Sequence, residues 1–266
     1  MAPTTQSLSV WNGRITTRVH TAGHGDPVVF LHGAGGLEWD AFLDGLAEHF
    51  TVYAPEHPGT TPGDPDGIRA LDHLWDLVLY YDEVFDALGL DAPAVIGHSF
   101  GGMVAAEVAA TFRRRVSKLV LINALGLWRD DTPIPNFLVM TPAEFVPLMV
   151  ADQSGPLAQK FLAPADLESD AGQTAVIQMT WSLACTGKFF WPIPDRGLDT
   201  RIHRISAPTL VVWGHRDNLV KNVYADEFAR RISGARVEVL ENAAHFPHVE
   251  QTERTVALVG DFLAGG

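Results

Sequence analysis

Short runs of apolar and β-branched residues recur along this chain, and helical patterns separate them. Such a run is typical of a strand that is buried on both faces of a sheet. The runs are Pro27–Leu31, Thr51–Ala54, Ala94–Ile96, Lys118–Ile122, Thr209–Trp213 and Arg236–Leu240. The helical patterns are Ile68–Leu88, Phe100–Phe112, Asn222–Ile232 and Glu250–Leu263. Strands that alternate with helices predict an α/β fold, with a mainly parallel sheet covered by helices on both faces.

The N-terminal region predicts a β-hairpin. Two runs with strand character, Leu8–Trp11 and Ile15–His20, flank the dipeptide Asn12-Gly13. Asn-Gly is a strong hairpin signal because both residues tolerate the positive φ angles that a tight turn requires.

The segment 126–199 interrupts the alternation. It contains no buried strand run, but it does contain helical pieces at Pro142–Val150, Pro156–Phe161 and Gly172–Cys185. A structureless loop of roughly 70 residues would be very unusual. We therefore predict that 126–199 is a helical cap inserted into one core domain, which comprises residues 1–125 and 200–266.

Composition and charge narrow the function classes. The 266 residues carry a net charge of −13, which disfavours nucleic-acid binding because two polyanions repel each other. The N-terminus has no basic and apolar leader, and no apolar stretch is long enough to cross a membrane, so we expect a cytoplasmic protein. The single cysteine forms no intrachain disulfide, and no metal-ligand spacing is present, so we expect neither metal nor cofactor. We expect a small-molecule substrate; the oligomeric state is unknown from sequence.

The sharpest chemical signal is the sequence Gly-His-Ser-Phe-Gly-Gly at 97–102. It follows a predicted strand and precedes a predicted helix, which is the setting of a nucleophile elbow. A sharp turn there exposes a serine hydroxyl, and the flanking glycines leave room for it. Ser99 is therefore the predicted nucleophile.

A second glycine-rich loop, at 32–36, follows the end of the Pro27–Leu31 strand. Acyl transfer requires backbone N–H groups that point at the developing oxyanion, and small residues present them without obstruction. We predict that the N–H groups of Ala34 and Phe100 form this oxyanion hole.

Two further loops supply a carboxylate and a base. Asp217 follows the Thr209–Trp213 strand, and His245 follows the last strand and precedes the last helix. A serine hydroxyl needs a general base with a near-neutral pKa, and a carboxylate fixes the tautomer of that histidine. We predict that His245 is the base and Asp217 its partner. His248 is the alternative base, although its place near a helix start favours a local role.

The four segments 32–36, 97–102, 213–217 and 244–246 together resemble those of the α/β-hydrolase superfamily, along essentially the whole chain. The resemblance implies an eight-stranded, mostly parallel sheet with an antiparallel second strand, and a helical cap within 126–199. Within the superfamily the chain looks most like small capped serine hydrolases: esterases, lactonases and carbon–carbon bond hydrolases.

Three functions follow as hypotheses. The first is hydrolysis of a carboxylic ester or lactone of a small, mostly apolar substrate through an acyl-enzyme (EC 3.1.1). The second is hydrolysis of a carbon–carbon bond in a meta-cleavage-type dienoate. In that group tryptophan commonly follows the catalytic histidine, whereas Phe246 stands here. The third is a ligand-binding receptor with slow turnover.

Large apolar residues of the predicted cap, together with Phe246, are candidates for substrate contact, because apolar and aromatic side chains line most ligand pockets. The alternative is that they bury the cap against the core. The candidates are Trp128, Phe137, Met140, Trp181, Trp191 and Phe246. Arg129 and Arg196 could pair with an acidic substrate or lie on the surface.

Overall fold

A computed structural model describes residues 2–62, 64–163 and 166–265 of the chain. Within these ranges one eight-stranded sheet has the strand order β1-β2-β4-β3-β5-β6-β7-β8. The strands are β1 (Thr4–Val10), β2 (Ile15–Ala22), β3 (Pro27–Leu31), β4 (Thr51–Pro55), β5 (Ala94–His98), β6 (Leu119–Ile122), β7 (Thr209–Gly214) and β8 (Arg236–Leu240). Strand β2 is antiparallel to both of its neighbours, and β3 to β8 are parallel. The predicted fold class and the antiparallel second strand are confirmed.

Helices cover both faces of the sheet. The α-helices in the described residues are α1 (Ala41–Ala47), α2 (Leu74–Ala87), α3 (Phe100–Thr111), α4 (Pro142–Met149), α5 (Pro156–Leu162), α6 (Asp170–Phe190), α7 (Val223–Arg231), α8 (Pro247–Glu250) and α9 (Thr252–Ala264). Alternate residues of β3 enter different cores, because successive side chains of a strand point to opposite faces. Val29 belongs to the core cluster that also contains residues of α2, α3 and α7, whereas Val28 belongs to the cluster that contains residues of α1 and α9. This burial on both faces explains the continuously apolar strand runs.

The first hairpin forms where Asn-Gly predicts it. Strand β1 pairs with β2 from Thr4 opposite Thr21 to Val10 opposite Ile15. Trp11, Asn12 and Gly13 all have positive φ angles in the turn.

Helix α2 differs from the predicted helix Ile68–Leu88. A 3-10 helix spans Pro65–Ala70, and α2 begins only at Leu74. The carboxylate of Asp76 accepts hydrogen bonds from the N–H groups of Asp72 and His73, at 2.8 and 2.9 Å, and so ends the preceding turn. The periodicity of the predicted helix places Trp75 on the same apolar stripe as Val78, but in the structure Trp75 is 54% exposed and Val78 is buried.

The segment between β6 and β7 contains α4, α5 and α6, and no named strand lies in its described residues. Helices α4 and α5 share a small apolar cluster around Val146, Val150 and Ala158. Helix α6 is exposed along its N-terminal half and mostly buried along its C-terminal half. The helical content agrees with the expected insertion, while its status as a separate cap with the bounds 126–199 stays a prediction.

None of the helices in the described ranges combines the length and the hydropathy needed to span a membrane.

Candidate active site

Ser99 lies in the turn between β5 and α3, with φ 54° and ψ −115°. A positive φ is rare for a residue other than glycine and persists only where the surroundings enforce it. Here the Ser99 N–H donates to the Ile122 carbonyl at 2.9 Å, and the Ser99 carbonyl accepts from the N–H groups of Met103 and Leu125. The backbone of the predicted nucleophile is therefore fixed from both sides.

Two glycines allow this turn to pack against its neighbours. A Cβ at Gly101 would collide with the backbone carbonyls of Leu31 and His32 at the end of β3. A Cβ at Gly102 would lie 2.5 Å from the Cβ of Ala124. The elbow thus sits directly beside the loop that follows β3 only because side chains are absent at these positions.

Ser99, His245 and Asp217 form one hydrogen-bonded chain. Ser99 Oγ lies 2.9 Å from His245 Nε2, and His245 Nδ1 lies 2.8 Å from Asp217 Oδ2. Because a carboxylate only accepts, His245 Nδ1 carries the proton and Nε2 is free to accept the Ser99 hydroxyl. All three residues are buried. The structure brings the three predicted residues together at the carboxyl ends of β5, β7 and β8.

Asp217 is held in place by groups that the sequence did not reveal. Its Oδ1 accepts from the N–H groups of Leu219 and Val220, both at 2.9 Å. Its Oδ2 accepts from Asn123 Nδ2 at 2.6 Å, in addition to His245. Asn123 directly follows β6 and has a φ of 43°. That position, a polar residue at the carboxyl end of a central strand, is the signal that could have identified it.

The backbone around His245 is held by α4 and by Glu250. The His245 N–H donates to the Met149 carbonyl at 2.9 Å, at the end of α4. The N–H of Ala244 donates to Glu250 Oε2 at 2.7 Å. On the other side, His98 Nε2 donates to the carbonyl of His245 at 2.9 Å. Neither Glu250 nor Met149 is predicted from the sequence.

The loop predicted to form the oxyanion hole runs alongside the nucleophile. A Cβ built on Gly33 would lie 3.7 Å from Ser99 Cβ. Ala34 is buried, and Phe100 is the first residue of α3, where helical N–H groups lack intrahelical partners. The Thr186 hydroxyl of α6 lies 3.2 Å from the Ala34 carbonyl oxygen and 2.8 Å from the Ser182 carbonyl oxygen. These two acceptors share its single proton. The donor roles of Ala34 and Phe100 stay predictions.

Three buried side chains beneath this loop form a second hydrogen-bonded chain. Tyr81 donates its hydroxyl proton to His57 Nδ1, and His57 Nε2 donates to the His32 carbonyl at 2.8 Å. His32 Nε2 accepts from the His57 N–H at 3.0 Å, so His32 Nδ1 donates to the Gly33 carbonyl at 2.8 Å. Burial lowers the pKa of His57 to about 4 and the pKa of His32 well below its ordinary value. Both rings are therefore neutral at pH 7.

His248, the alternative base, is packed into an aromatic cluster. Its ring lies 4.4 Å from the His98 ring and 5.6 Å from the Phe42 ring, centroid to centroid. Burial lowers the pKa of His248 to about 3. His245, as the sequence favoured, is the histidine that hydrogen-bonds to Ser99.

The six predicted substrate contacts occupy different environments. The Phe246 ring lies 5.4 Å from the His245 ring and stacks on Phe161 at 5.6 Å. Phe137 stacks on Phe190, which in turn packs against Phe100.

The remaining four all belong to the segment between β6 and β7. Trp181 Nε1 donates to the Gly59 carbonyl, and Trp128 Nε1 donates to Asp130. Trp191 is 45% exposed, and Met140 is half-buried. Substrate contact stays a prediction for all six residues.

The chain is similar to known proteins along most of its length. Residues 26–252 match the family described as the α/β hydrolase fold. The chain is 28% identical to a 2-hydroxy-6-oxo-2,4-heptadienoate hydrolase of Pseudomonas putida, over 95% of this chain and 94% of the relative. It is 26% identical to a pimeloyl-(acyl-carrier protein) methyl ester esterase of Vibrio campbellii, over 94% of this chain and 100% of the relative.

A solved meta-cleavage product hydrolase from Pseudomonas fluorescens superposes with a TM-score of 0.75 at 22% identity, over 97% of each chain. At this identity the likeness is one of fold.

Proposed function

Because this chain belongs to the α/β-hydrolase fold family, we propose that it is a serine hydrolase that cleaves a carboxylic ester or lactone of a small, mostly apolar substrate. The family and the names of the relatives support hydrolase activity. One observation carries the proposal: the unbroken hydrogen-bonded chain from Ser99 through His245 to Asp217, at a strained strand-to-helix turn.

The first half-reaction forms an acyl-enzyme. Ser99 Oγ bonds to the acyl carbon while His245 Nε2 takes the hydroxyl proton, and the carbonyl π electrons move to oxygen. Asp217 stabilises the imidazolium, and the N–H groups of Ala34 and Phe100 donate to the oxyanion. Each such donor typically lowers the barrier by about 3 kcal/mol. The carbonyl re-forms, and the alcohol leaves with the proton from His245.

The second half-reaction releases the acid. Water gives a proton to His245 and adds to the acyl carbon, and Ser99 leaves with that proton when the tetrahedral intermediate collapses. One water is consumed, and one carboxylic acid and one alcohol are formed. A lactone follows the same steps and yields a single hydroxy acid.

Charge in the segment 126–199 supports a neutral substrate. The segment contains four Lys and Arg residues against nine Asp and Glu residues. Arg129 is bonded to Asp131 and Glu227, and Arg196 to the carbonyls of Phe189 and Trp191. Lys160 pairs with Glu38, and Lys188 lies 3.8 Å from Asp72. An anionic substrate would therefore approach a net negative surface whose cations already have partners.

Carbon–carbon bond hydrolysis is the second candidate, and the name of the Pseudomonas putida relative favours it. The same triad would serve, with a carbanion as the leaving group that His245 protonates. A dienoate carries a carboxylate at pH 7, however, which the charge pattern of the segment 126–199 disfavours.

The test compares wild type, Ser99→Ala and the control Ser117→Ala, which removes an exposed hydroxyl. Each is assayed on p-nitrophenyl esters of graded chain length, on lactones and on a meta-cleavage-type dienoate. We expect wild type and Ser117→Ala to hydrolyse neutral esters or lactones, and Ser99→Ala to lose kcat by about a million-fold.

Other outcomes separate the alternatives. Turnover of the dienoate alone would favour the second candidate, and an absence of all turnover above buffer would favour a binding role. Full ester hydrolysis by Ser99→Ala would contradict the proposed mechanism.

A further inference from the structure

One carboxylate links the loop before the predicted base to the end of α4. Glu250 Oε2 accepts from the N–H of Ala244 at 2.7 Å, and Glu250 Oε1 accepts from the N–H of Ala151 at 2.6 Å. Ala244 immediately precedes His245, and Ala151 follows α4 by two residues. Both oxygens of a single side chain therefore join two segments that lie about 90 residues apart in the sequence.

The end of α4 also contacts both triad loops through its own carbonyls. Met149 accepts from the His245 N–H at 2.9 Å, and Leu148 accepts from the N–H groups of Asn218 and Leu219 at 2.9 and 3.2 Å. Residues 218 and 219 directly follow Asp217. The last turn of α4 therefore contacts the backbone of the base loop and of the carboxylate loop at once.

The ionised carboxylate of Glu250 is the form that fits this bridge. Two N–H groups donate to it, and an ionised carboxylate offers an acceptor to each of them. Hydrogen bonds to a charged oxygen are also stronger than those to a neutral one. An amide of the same shape would place an NH₂ group against one of the two N–H donors. Burial opposes ionisation and raises the pKa of Glu250, whereas the bonds from Ala244 and Ala151 lower it.

We propose that Glu250 is a positioning residue, which fixes the loop carrying His245 against the end of α4 and thereby sets the distance from His245 Nε2 to Ser99 Oγ. This inference rests on the proposed function, because it concerns the same serine, histidine and aspartate. Glu250 acts through the backbone of Ala244 and touches neither the substrate nor the reacting atoms. Helix α4 is thus part of the frame that holds the base.

The experiment compares Glu250→Gln with the control Glu241→Gln, which makes the same change at an exposed glutamate shortly before His245. Glu250→Asp, which keeps the charge on a shorter side chain, is the second variant in case Glu250→Gln fails to fold. For each protein, kcat and KM are measured on the best p-nitrophenyl ester. The rate of inactivation by a fluorophosphonate and the thermal unfolding midpoint are measured as well.

We expect Glu250→Gln to lower kcat and the inactivation rate by about 10- to 100-fold, because a small misplacement of a catalytic group has effects of this size. KM should stay unchanged, since no substrate contact is removed, and Glu241→Gln should match wild type. A lower unfolding midpoint with unchanged kcat would show a purely structural role and overturn the inference.

The inference and the proposed function fail separately. If Ser99→Ala is inactive while folded Glu250→Gln, or folded Glu250→Asp in its place, keeps wild-type kcat and inactivation rate, only the inference is wrong. If Ser99→Ala keeps wild-type activity, the proposed function is wrong and the inference falls with it.

Discussion

Asn123 and Asp217 lie beyond the ends of neighbouring strands, and the Asn123 amide donates to Asp217 Oδ2 over 2.6 Å. The same amide group donates to the Ala244 carbonyl at 3.2 Å, and its oxygen accepts from the Gly214 N–H at 3.2 Å. One side chain thus connects the carboxylate, the strand that carries it and the residue before the base. Its φ of 43° suits asparagine, which enters the left-handed region more readily than most residues.

Removal of this side chain should weaken catalysis more than binding. Glycine adopts a positive φ without strain, so Asn123→Gly tests the loss of the side chain alone. We expect kcat to fall about 10- to 100-fold through misorientation of Asp217 and His245. The free energy of unfolding should fall by about 1–3 kcal/mol, because the Gly214 N–H loses its partner. Asn12→Gly, at a φ of 54° in the first hairpin, is the control. An unchanged kcat in folded Asn123→Gly would show that Asp217 needs no such support.

The triad could be predicted from sequence because each member lies in a local motif at the carboxyl end of a strand. A parallel sheet gathers those ends at one edge, so local patterns imply proximity in space. Asn123 and Glu250 were missed because their partners are mostly backbone groups far away in the chain. The bond from Ala151 to Glu250 joins residues 99 positions apart, and no sequence pattern records it.

The start of α2 shows the limit of periodicity at an element boundary. His73 stands before the helix, and Asp76 completes a capping box three residues later. Histidine is not among the preferred N-cap residues, so the sequence pattern predicts a helix start at Ile68 instead.

Gly101 should tolerate no side chain. In Gly101→Ala the new Cβ meets the carbonyls of Leu31 and His32, which belong to the backbone and cannot rotate away. We expect a loss on the order of 3 kcal/mol in the free energy of unfolding, or no soluble protein. Gly260→Ala is the control, because its Cβ meets nothing within 4 Å and alanine favours α9 by up to about 1 kcal/mol. Chemical denaturation measures both. Wild-type stability in Gly101→Ala would mean that the elbow is packed less tightly than the distances at Gly101 indicate.

Tyr81 supports the loop that carries Ala34 through two histidines. Tyr81→Phe removes the hydroxyl that donates to His57 Nδ1 and leaves a buried acceptor unpaired. We expect the free energy of unfolding to fall by about 1–3 kcal/mol. A smaller decrease in kcat should accompany it, since His57 anchors His32, whose ring holds the Gly33 carbonyl. Tyr53→Phe, at a half-buried tyrosine of β4, is the control in chemical denaturation and ester turnover. Equal stability of the two variants would argue against the hydrogen bond.

Replacement of His248 by phenylalanine should stabilise the protein at acidic pH. The buried ring has a pKa of about 3 when folded, against 6.5 in the unfolded chain. Between these values only the unfolded chain takes up the proton, so the stability of wild type falls as the pH is lowered through this range. The loss is on the order of 2 kcal/mol at pH 5, because each pH unit below 6.5 costs about 1.4 kcal/mol.

His248→Phe removes this loss and also removes Nδ1, a buried atom without a hydrogen-bond partner in the described residues. The new ring joins the aromatic cluster with Phe30, Phe42 and Phe246. Burial raises the pKa of the nearby Asp40 carboxylate to about 6, so its contribution to stability has the opposite pH dependence. Asp40 is present in both proteins, and its contribution largely cancels in their difference.

Urea denaturation from pH 5 to pH 8 should therefore show a gain in the free energy of unfolding for His248→Phe that grows as the pH falls. His24→Phe, at an exposed histidine, should show no such growth. A constant difference between His248→Phe and wild type across this range would mean that the His248 ring takes up its proton in the folded protein as well.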